Sequence, residues 1–454
     1  MWTNSLKLGG RSGLPTAMKL CAAVAMLAAF AACGDDDGDD ENGVTPDATS
    51  ATTNGATATA GSSGGGGNVT VLGIWGDEEL ASFEAMVAGW DGTMDFTGTR
   101  DITALLTTRV DGGSPPDVAI PAEIGLFQQF ASEGKLTPLS ECAGLEDLVR
   151  ANYPQAFIDL GTVDGTLYGF FMKADTKGTI FYDPAFFAEQ NLQPLEASAS
   201  FEDLIALSDA IMATGTPPWS IGEEAGAGSG FPGSDVIQQI VLNEQGEDYY
   251  DSIVAGDTPF SDDGMKDAWE KFGQLALTEG YTVQGGAAGI NAANFQDATY
   301  PPFQDPPGAA MTPLGGFAVT FIKEQFPDAQ PGTDYDFFPW PGGKVTGGAN
   351  IAYAFNGDPD TCSFLMHIAG AEAQQIWVER GGFTSVNKDV SMDAYPDDVA
   401  RKLAEQLLNA DVFRFDLDDA IGGAGQQAEF EGVTQYLNDP GSLDGILSNI
   451  TTAR

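Results

Sequence analysis

The sequence predicts an α/β protein built from two lobes, and two observations carry that expectation. From Val69 onward, short β-rich runs alternate with amphipathic helical stretches, the pattern of βαβ units around a parallel sheet. The roughly 385 residues of this region exceed what one core comfortably holds, since single cores stop growing near about 250–300 residues.

The elements follow in order. Val69-Thr70-Val71-Leu72-Gly73-Ile74-Trp75 reads as a strand that breaks at Gly76 and opens into a helix over Asp77–Trp90. Met94–Thr99 reads as a second strand, and Asp101–Val110 as a helix capped by Asp101. Asp117–Ile120 is a short apolar strand, followed by a helix over Gly125–Glu133. Further on come a strand at Gly178–Tyr182, a helix at Phe201–Thr214 and strands at Trp219–Gly222, Gly308–Thr312 and Ile351–Phe355. The last part turns helical over Asp360–Arg380 and Pro396–Asn409.

The entry to the chain reads as an export signal. Lys7, Arg11 and Lys19 flank an apolar run too short for a membrane span, which needs about 20 residues. The run ends in Phe30-Ala31-Ala32-Cys33, which resembles a bacterial lipobox, with Phe30 where Leu is usual. Residues 1–32 are therefore expected to be a lipoprotein signal peptide and Cys33 the lipidated residue. Met18 also begins a complete signal by itself. An exported, lipid-anchored position at the outer face of the cytoplasmic membrane follows. Residues 33–67 form an acidic, then Thr/Ala/Ser- and Gly-rich stretch that reads as a flexible tether.

Composition narrows the function further. The chain carries 66 acidic and 19 basic residues, a net charge of −47, and removal of the three basic leader residues takes this to −50. Such a surface repels nucleic acid, so no nucleic-acid partner is expected. A hydrophobic fraction of 43% marks a folded protein rather than an acidic disordered one. Self-repulsion of this size is relieved by salt, which fits an acidic proteome in a salty habitat. The melting temperature is expected to rise across a NaCl series, and a flat or falling series would refute the idea.

Once Cys21 leaves with the signal and Cys33 takes the lipid, Cys142 and Cys362 remain. In an exported protein they are either disulfide-bonded or two buried thiols. One histidine, His367, and no CxxC spacing leave no common zinc signature, and no metal or cofactor is expected. No GxSxG elbow stands between a strand and a helix, and no GxxxxGK[ST] loop is present, so neither a serine hydrolase nor an ATPase is indicated.

Eight segments in order resemble the extracellular solute-binding proteins of ABC sugar importers, especially the α-glucoside and oligosaccharide group. They include VTVLGIWGDEELASFEAM (69–86), FTGTRDITALLTTRVDGGSPPDVAIP (96–121), YGFFMKADTKGTIFYDPAFF (168–187), GGFTSVNKDV (381–390) and NADVFRFDLDDA (409–420), and GSPPDV at 113–118 is the most characteristic. The resemblance implies a type II periplasmic-binding-protein-like fold with a hinge and an inter-lobe cleft. It also implies an oligosaccharide ligand, ABC permease subunits with a cytosolic ATPase, a monomer, and no enzyme activity. The expected division is lobe 1 over 68–172, lobe 2 over 173–300, a return to lobe 1 over 301–380, and a helical segment over 381–454 completing lobe 2 and the cleft.

Sugar recognition needs flat aromatic faces for C–H surfaces and planar polar groups for hydroxyls. Trp75, Asp77 and Glu78 sit at a strand end where a ring and two carboxylates meet a cleft, or else fill a core and start a helix. Thr99 and Arg100 occupy a second such corner, with Arg100 free to fork onto hydroxyls or to pair with Asp101. Lys173 lies near the first crossing, as a hydroxyl donor or in a salt bridge with Asp175. Trp219, Glu223, Phe231 and Asp235 surround a loop with glycines at 226, 228, 230 and 233, a recognition loop or plain turn chemistry. Phe383, Asn387, Arg414 and Asp416 complete the set; a phenylalanine in such a pattern is as readily core as cleft. The rival readings are a cell-surface polysaccharide-binding adhesin and a secreted glycosidase, the latter with no spacing that singles out a carboxylate pair.

Overall fold

The computed structural model describes residues 67–99 and 101–454. The leader, Cys33, the tether and Arg100 lie outside the described residues. Among those described, no helix is long and apolar enough to cross a membrane.

The chain is organised around two sheets and two main cores. In the first lobe β1 (Asn68–Gly73) lies parallel between β2 (Thr93–Gly98) and β3 (Val118–Ile120), with the connections running through α1 (Asp77–Val87) and α2 (Ile102–Asp111). Parallel neighbours require such crossovers, so the opening βαβ expectation matches the sheet. A third helix, α3 (Ile124–Ser132), follows β3.

Two strands then carry the chain between lobes. Strand β4 (Gly169–Thr176) leaves the first lobe towards β5 (Thr179–Tyr182). That strand is the centre of a three-stranded antiparallel sheet with β6 (Met311–Pro313) and β7 (Asp336–Pro339). Strand β8 (Val345–Ala354) returns to the first lobe, antiparallel to both β4 and β3. β9 (Thr384–Ser385) pairs with β4, and β10 (Phe413–Phe415) with β8. The large sheet therefore runs β9-β4-β8-β3-β1-β2, with β10 against β8. Glycine is needed where β4 and β8 run closest: a Cβ at Gly347 would stand 2.6 Å from the Asp175 carbonyl oxygen.

One core joins β1–β4 to β8 and to Phe383, Val386, Tyr395, Leu407 and Phe415. The other is helical, built on Phe201–Met212, α4 (Phe231–Gln245), Asp263–Leu277 and the C-terminal helices, and includes Met311, Phe338 and Trp340. Two helices of this region bear on the site: α5 (Leu417–Ile421) and α6 (Gly423–Asn438). A smaller cluster connects the β5 sheet, through Phe181 and Phe337, to Val399 and Leu403.

These cores put the crossings at 176–179, 340–345 and 415–417. The sequence reading placed them at 172/173, 300/301 and 380/381. Residues 301–340 thus pack in the second lobe, and 381–415 pack mainly in the first, with Val399 and Leu403 set against the β5 sheet. The reason is physical: helical periodicity reports burial, but not which of two cores receives the buried face. The stretch Trp219–Gly222 is also no regular strand, with Trp219 making only isolated bridges to Thr282 and Met311. The helix expected over Asp360–Arg380 breaks at Gly370 into Pro359–Ala369 and Ala371–Arg380.

The cysteine question left open by the sequence has an answer in the fold. Cys142 and Cys362 are disulfide-bonded, with Cα atoms 5.1 Å apart across 220 residues of sequence. The link ties the segment after α3 to Pro359–Ala369 within the first lobe, where a long closed loop restricts the unfolded chain most.

Candidate functional site

Between the lobes lies a cavity of about 300 Å³, at the small end of ligand pockets, which run from about 300 to 1,000 Å³. The first lobe lends it Trp75, Glu79, Glu123, Lys173, Asp175 and Asn350. From the second come Phe231, Asp235 and a run of further phenylalanines at 295, 317, 321 and 430. Lys177 and Asp416 enter from the first and third crossings, and Asp418, Asp419 and Gln426 from just beyond the third. Ligands in open α/β folds bind beyond the carboxyl ends of strands, and Trp75 follows β1 in that position.

The apolar wall is a set of rings in edge contact: Phe231–Phe295 at 5.1 Å, Phe295–Phe321 at 5.7 Å and Phe317–Phe321 at 5.9 Å between centroids. Trp75, from the other lobe, is held by Phe83 at 4.8 Å and edge-on by Trp377 at 4.9 Å. It is 1% exposed, and its Nε1–H is buried with no hydrogen-bond acceptor. A buried indole donor normally finds one.

Two lysines organise the charge. Residues i, i+2 and i+4 of a strand share a face, and Lys173, Asp175 and Lys177 follow that spacing along β4 and its exit. Lys173 Nζ stands 2.6 Å from Glu79 Oε1 and 3.3 Å from Asp175 Oδ2. Burial alone would lower its pKa, but Asp175 and Glu79 outweigh burial and hold it above the ordinary lysine value. Lys177 Nζ donates at 2.9 Å to both oxygens of Asp235 and lies 3.1 Å from Asp416 Oδ2. It also rests over the Phe231 and Phe317 rings at 5.4 and 5.7 Å. Here too burial opposes the charge and the neighbouring carboxylates prevail, placing Lys177 well above its usual value.

Carboxyls outnumber cations around Lys177. Asp235, Asp416 and Asp418 bring oxygens within 4.8 Å of one another, with the Lys177 ammonium as the counter-ion to the first two. Burial, with repulsion from Asp416, raises Asp418 to about 7. Burial first, then Asp418, Asp416 and Glu123, raises Asp419 well above the carboxylate range. Asp235 is raised too, because burial and its acidic neighbours outweigh Lys177. The lysine and its partner are thus both shifted upward, which is the sign of surplus buried carboxyls, some of them protonated at neutral pH.

The residues singled out from sequence fall in different places. Trp75, Lys173, Phe231, Asp235 and Asp416 line the cavity. Glu78 and Thr99 line an adjoining pocket that shares Trp75, Glu79 and Phe321 with it. Asp77 begins α1.

The others pack elsewhere. Trp219 is fully buried in the second core, donating from Nε1 to Ser208 Oγ at 3.1 Å. Glu223 is sealed beneath α4 and accepts from the Gly233 backbone N–H at 3.0 Å. Phe383 stacks on Trp377 at 4.7 Å in the first core. Asn387 donates to the Ala369 carbonyl at 3.0 Å. Arg414 forks outward onto Asp251 at 2.5 and 2.8 Å. In each case another part of the protein claims the side chain that sequence offered to the cleft, and for Arg414 that partner belongs to the other lobe.

Sequence reasoning passed over Glu79, Glu123, Lys177, Asp419 and the additional phenylalanines. The alternation Lys173-Asp175-Lys177 was the available signal for Lys177.

Glu223 supplies a pH prediction. Burial, opposed only by the Gly233 N–H, raises it to about 8. Between about pH 4.5 and 8 the folded chain therefore keeps a proton that the unfolded chain has lost, so stability falls as pH rises through that window. The variant Glu223→Gln is expected to flatten the fall and to melt about 2–4 °C higher than wild type at pH 8. Identical wild-type and variant slopes in melting scans from pH 5 to 8 would contradict it.

Residues 80–403 match the family described as bacterial extracellular solute-binding protein. The chain is 31% identical over 388 residues to the osmoprotective compounds-binding protein GgtB of Synechocystis sp., covering 83% of this chain and 89% of that one. It is 30% identical over 397 residues to the alpha-glucosides-binding periplasmic protein AglE of Rhizobium meliloti, covering 83% and 84%. Among solved structures it is similar to the bacterial solute receptor AcbH, with a TM-score of 0.73 at 18% identity over 86% of this chain and 98% of that one. At that identity the likeness speaks to the fold, which is the two-lobed one described above.

Proposed function

This chain belongs to the bacterial extracellular solute-binding proteins, and from that premise we propose that it captures a small oligosaccharide or glycoside, of α-glucoside type, between its lobes and hands it to an ABC permease. The observation that carries the reading is the pairing of an orphaned indole N–H with a phenylalanine wall and a dense carboxyl set in one inter-lobe cavity. A sugar offers both C–H faces for the rings and hydroxyls for the polar groups. The cavity volume favours one or two sugar rings over a longer chain. Closure of the lobes around such a ligand presents a joint surface that a permease reads. The leader and Cys33 support anchoring by lipid at the outer face of the membrane.

The test is a thermal-shift screen of residues 68–454 in high salt against trehalose, sucrose, maltose, maltotriose, polyols and osmolytes. Ligand at 100 times its Kd adds about 2.7 kcal/mol, a visible rise in melting temperature. A rise with a sugar supports the reading. Cooperative melting unmoved by every sugar would overturn it.

A further inference from the structure

One buried amide stands apart from the rest. Gln238, Gln239, Gln374, Asn387 and Gln426 are all buried, and each is held by hydrogen bonds inside the protein. Asn350 is 5% exposed and lines the inter-lobe cavity. Among the described residues none hydrogen-bonds to its side chain. Buried polar groups nearly always have a partner, and a planar amide offers a donor and an acceptor side by side. The Asn350 amide therefore marks a place where something other than the protein completes the bonding.

The strand around it is shaped for the same purpose. The register of β8 against β4 slips between Asn350 and Ile351, opposite Lys173 and Phe171, and such irregularities re-aim side chains beside binding sites. Two residues earlier, and so on the same strand face, Gly348 also lines the cavity. The backbone does not demand glycine there. Its φ lies outside the left-handed region, and a Cβ would meet nothing nearer than Lys177 Cε at 3.4 Å, with Asp416 Oδ2 and Asp419 Oδ2 each at 3.9 Å. Gly347 differs, because there a backbone oxygen stands 2.6 Å from the Cβ position. Glycine inside a strand costs stability relative to alanine, and it commonly marks the close approach of a ligand.

We propose that Asn350 and Gly348 form the specificity-determining floor of the cleft: the Asn350 amide grips a neighbouring donor and acceptor on one edge of the cargo, and Gly348 leaves that edge room to lie against β8. The proposal rests on the reading above, a small glycoside held between the lobes, and names the residues that select within that class. The element recognised is a vicinal pair of hydroxyls. One accepts from the amide N–H, and its neighbour donates to the amide oxygen. A side chain at 348 would fill the space that this edge occupies. The amide carries no charge, so its grip does not depend on which of the surrounding carboxyls hold protons.

The test is calorimetry with trehalose, sucrose, maltose, maltotriose and mannitol on wild type, Asn350→Leu, Asn350→Ala and Gly348→Ala. For each probe that wild type binds, the Asn350 variants should bind about 10- to 100-fold more weakly, the worth of two hydrogen bonds. Their melting temperatures without ligand should stay within about 3 °C of wild type, because the amide has no partner in the protein to lose. Gly348→Ala should melt at or slightly above wild type and bind at least about tenfold more weakly. Monodeoxy analogues of the bound sugar supply the signature of direct contact: removal of either of two adjacent hydroxyls should weaken wild type but leave Asn350→Ala unchanged. Wild-type affinity in Gly348→Ala or in a folded Asn350 variant overturns the floor. So does a melting temperature lowered by more than about 5 °C in both Asn350 variants, the mark of a packing residue. If a sugar binds and the variants match wild type, the floor falls and the glycoside reading stands. If mannitol alone binds and the variants lose it, the floor stands and the glycoside reading falls. Binding of none of the five overturns both.

Discussion

Replacing Lys177 with methionine is expected to cost about 3–5 kcal/mol of stability at pH 8 and much less at pH 5. The ammonium is the counter-ion to Asp235 and Asp416, and Asp418 and Asp419 crowd the same space. Without it the carboxylates must either remain charged and unpaired in the interior or take up protons. Burial already raises the pKa values of Asp235, Asp418 and Asp419, so low pH supplies those protons readily and high pH does not. The sign follows from linkage: the folded variant binds more protons than the unfolded chain, and its stability therefore falls as pH rises. Urea unfolding of both proteins at pH 5 and pH 8 checks this. A loss under about 1 kcal/mol at pH 8, or an equal loss at both pH values, would mean that Lys177 does not compensate the cluster.

The second large effect is expected at Trp219, where alanine should remove about 3–5 kcal/mol. The indole is wholly buried among the helices of the second lobe and its N–H is satisfied by Ser208. The change leaves a cavity and takes away the donor to Ser208 Oγ, which still donates to the Leu204 carbonyl, but removes nothing from the cleft. Ligand affinity of the folded fraction should stay within about twofold. Near-native stability combined with lost binding would instead put Trp219 in the site.

Trp219 also shows what a sequence can and cannot disclose. Its aromatic type beside a glycine-rich loop is the composition of a recognition loop, yet the same composition suits a core residue next to tight turns. The difference is made by Ser208, eleven residues away on a packed helix, which no local pattern reveals. Phe383 is the same case, its ring claimed by Trp377. Arg414, also a cleft candidate from sequence, turns outward to Asp251, 163 residues earlier.

Trp75 was easier to place. A strand that ends in a ring and opens into a helix fixes both the direction of the chain and the end of the sheet. Its βαβ setting was legible because parallel neighbours need a crossover helix, and the 2-to-3.6 change of period marks one. The lobe boundaries were not, because β4 and β8 are each shared between a lobe and a crossing. Burial on both sides makes such strands look alike along their whole length. The acidic residues Glu123 and Asp419 were invisible for another reason: in a chain with 66 acids, a carboxyl stands out only once its burial is known.

If cargo completes the cavity at Trp75, calorimetric titration of wild type and Trp75→Phe with the sugar found by thermal shift will separate the two proteins. Phenylalanine keeps an aromatic face against Phe83 and Trp377 while deleting the N–H that has no acceptor in the protein. One site per chain is expected, with binding about 5- to 30-fold weaker in the variant, the worth of one buried hydrogen bond, and the melting temperature of the free protein nearly unchanged. Equal affinity in the two proteins would contradict it, because the indole N–H would then have no partner in the bound state either.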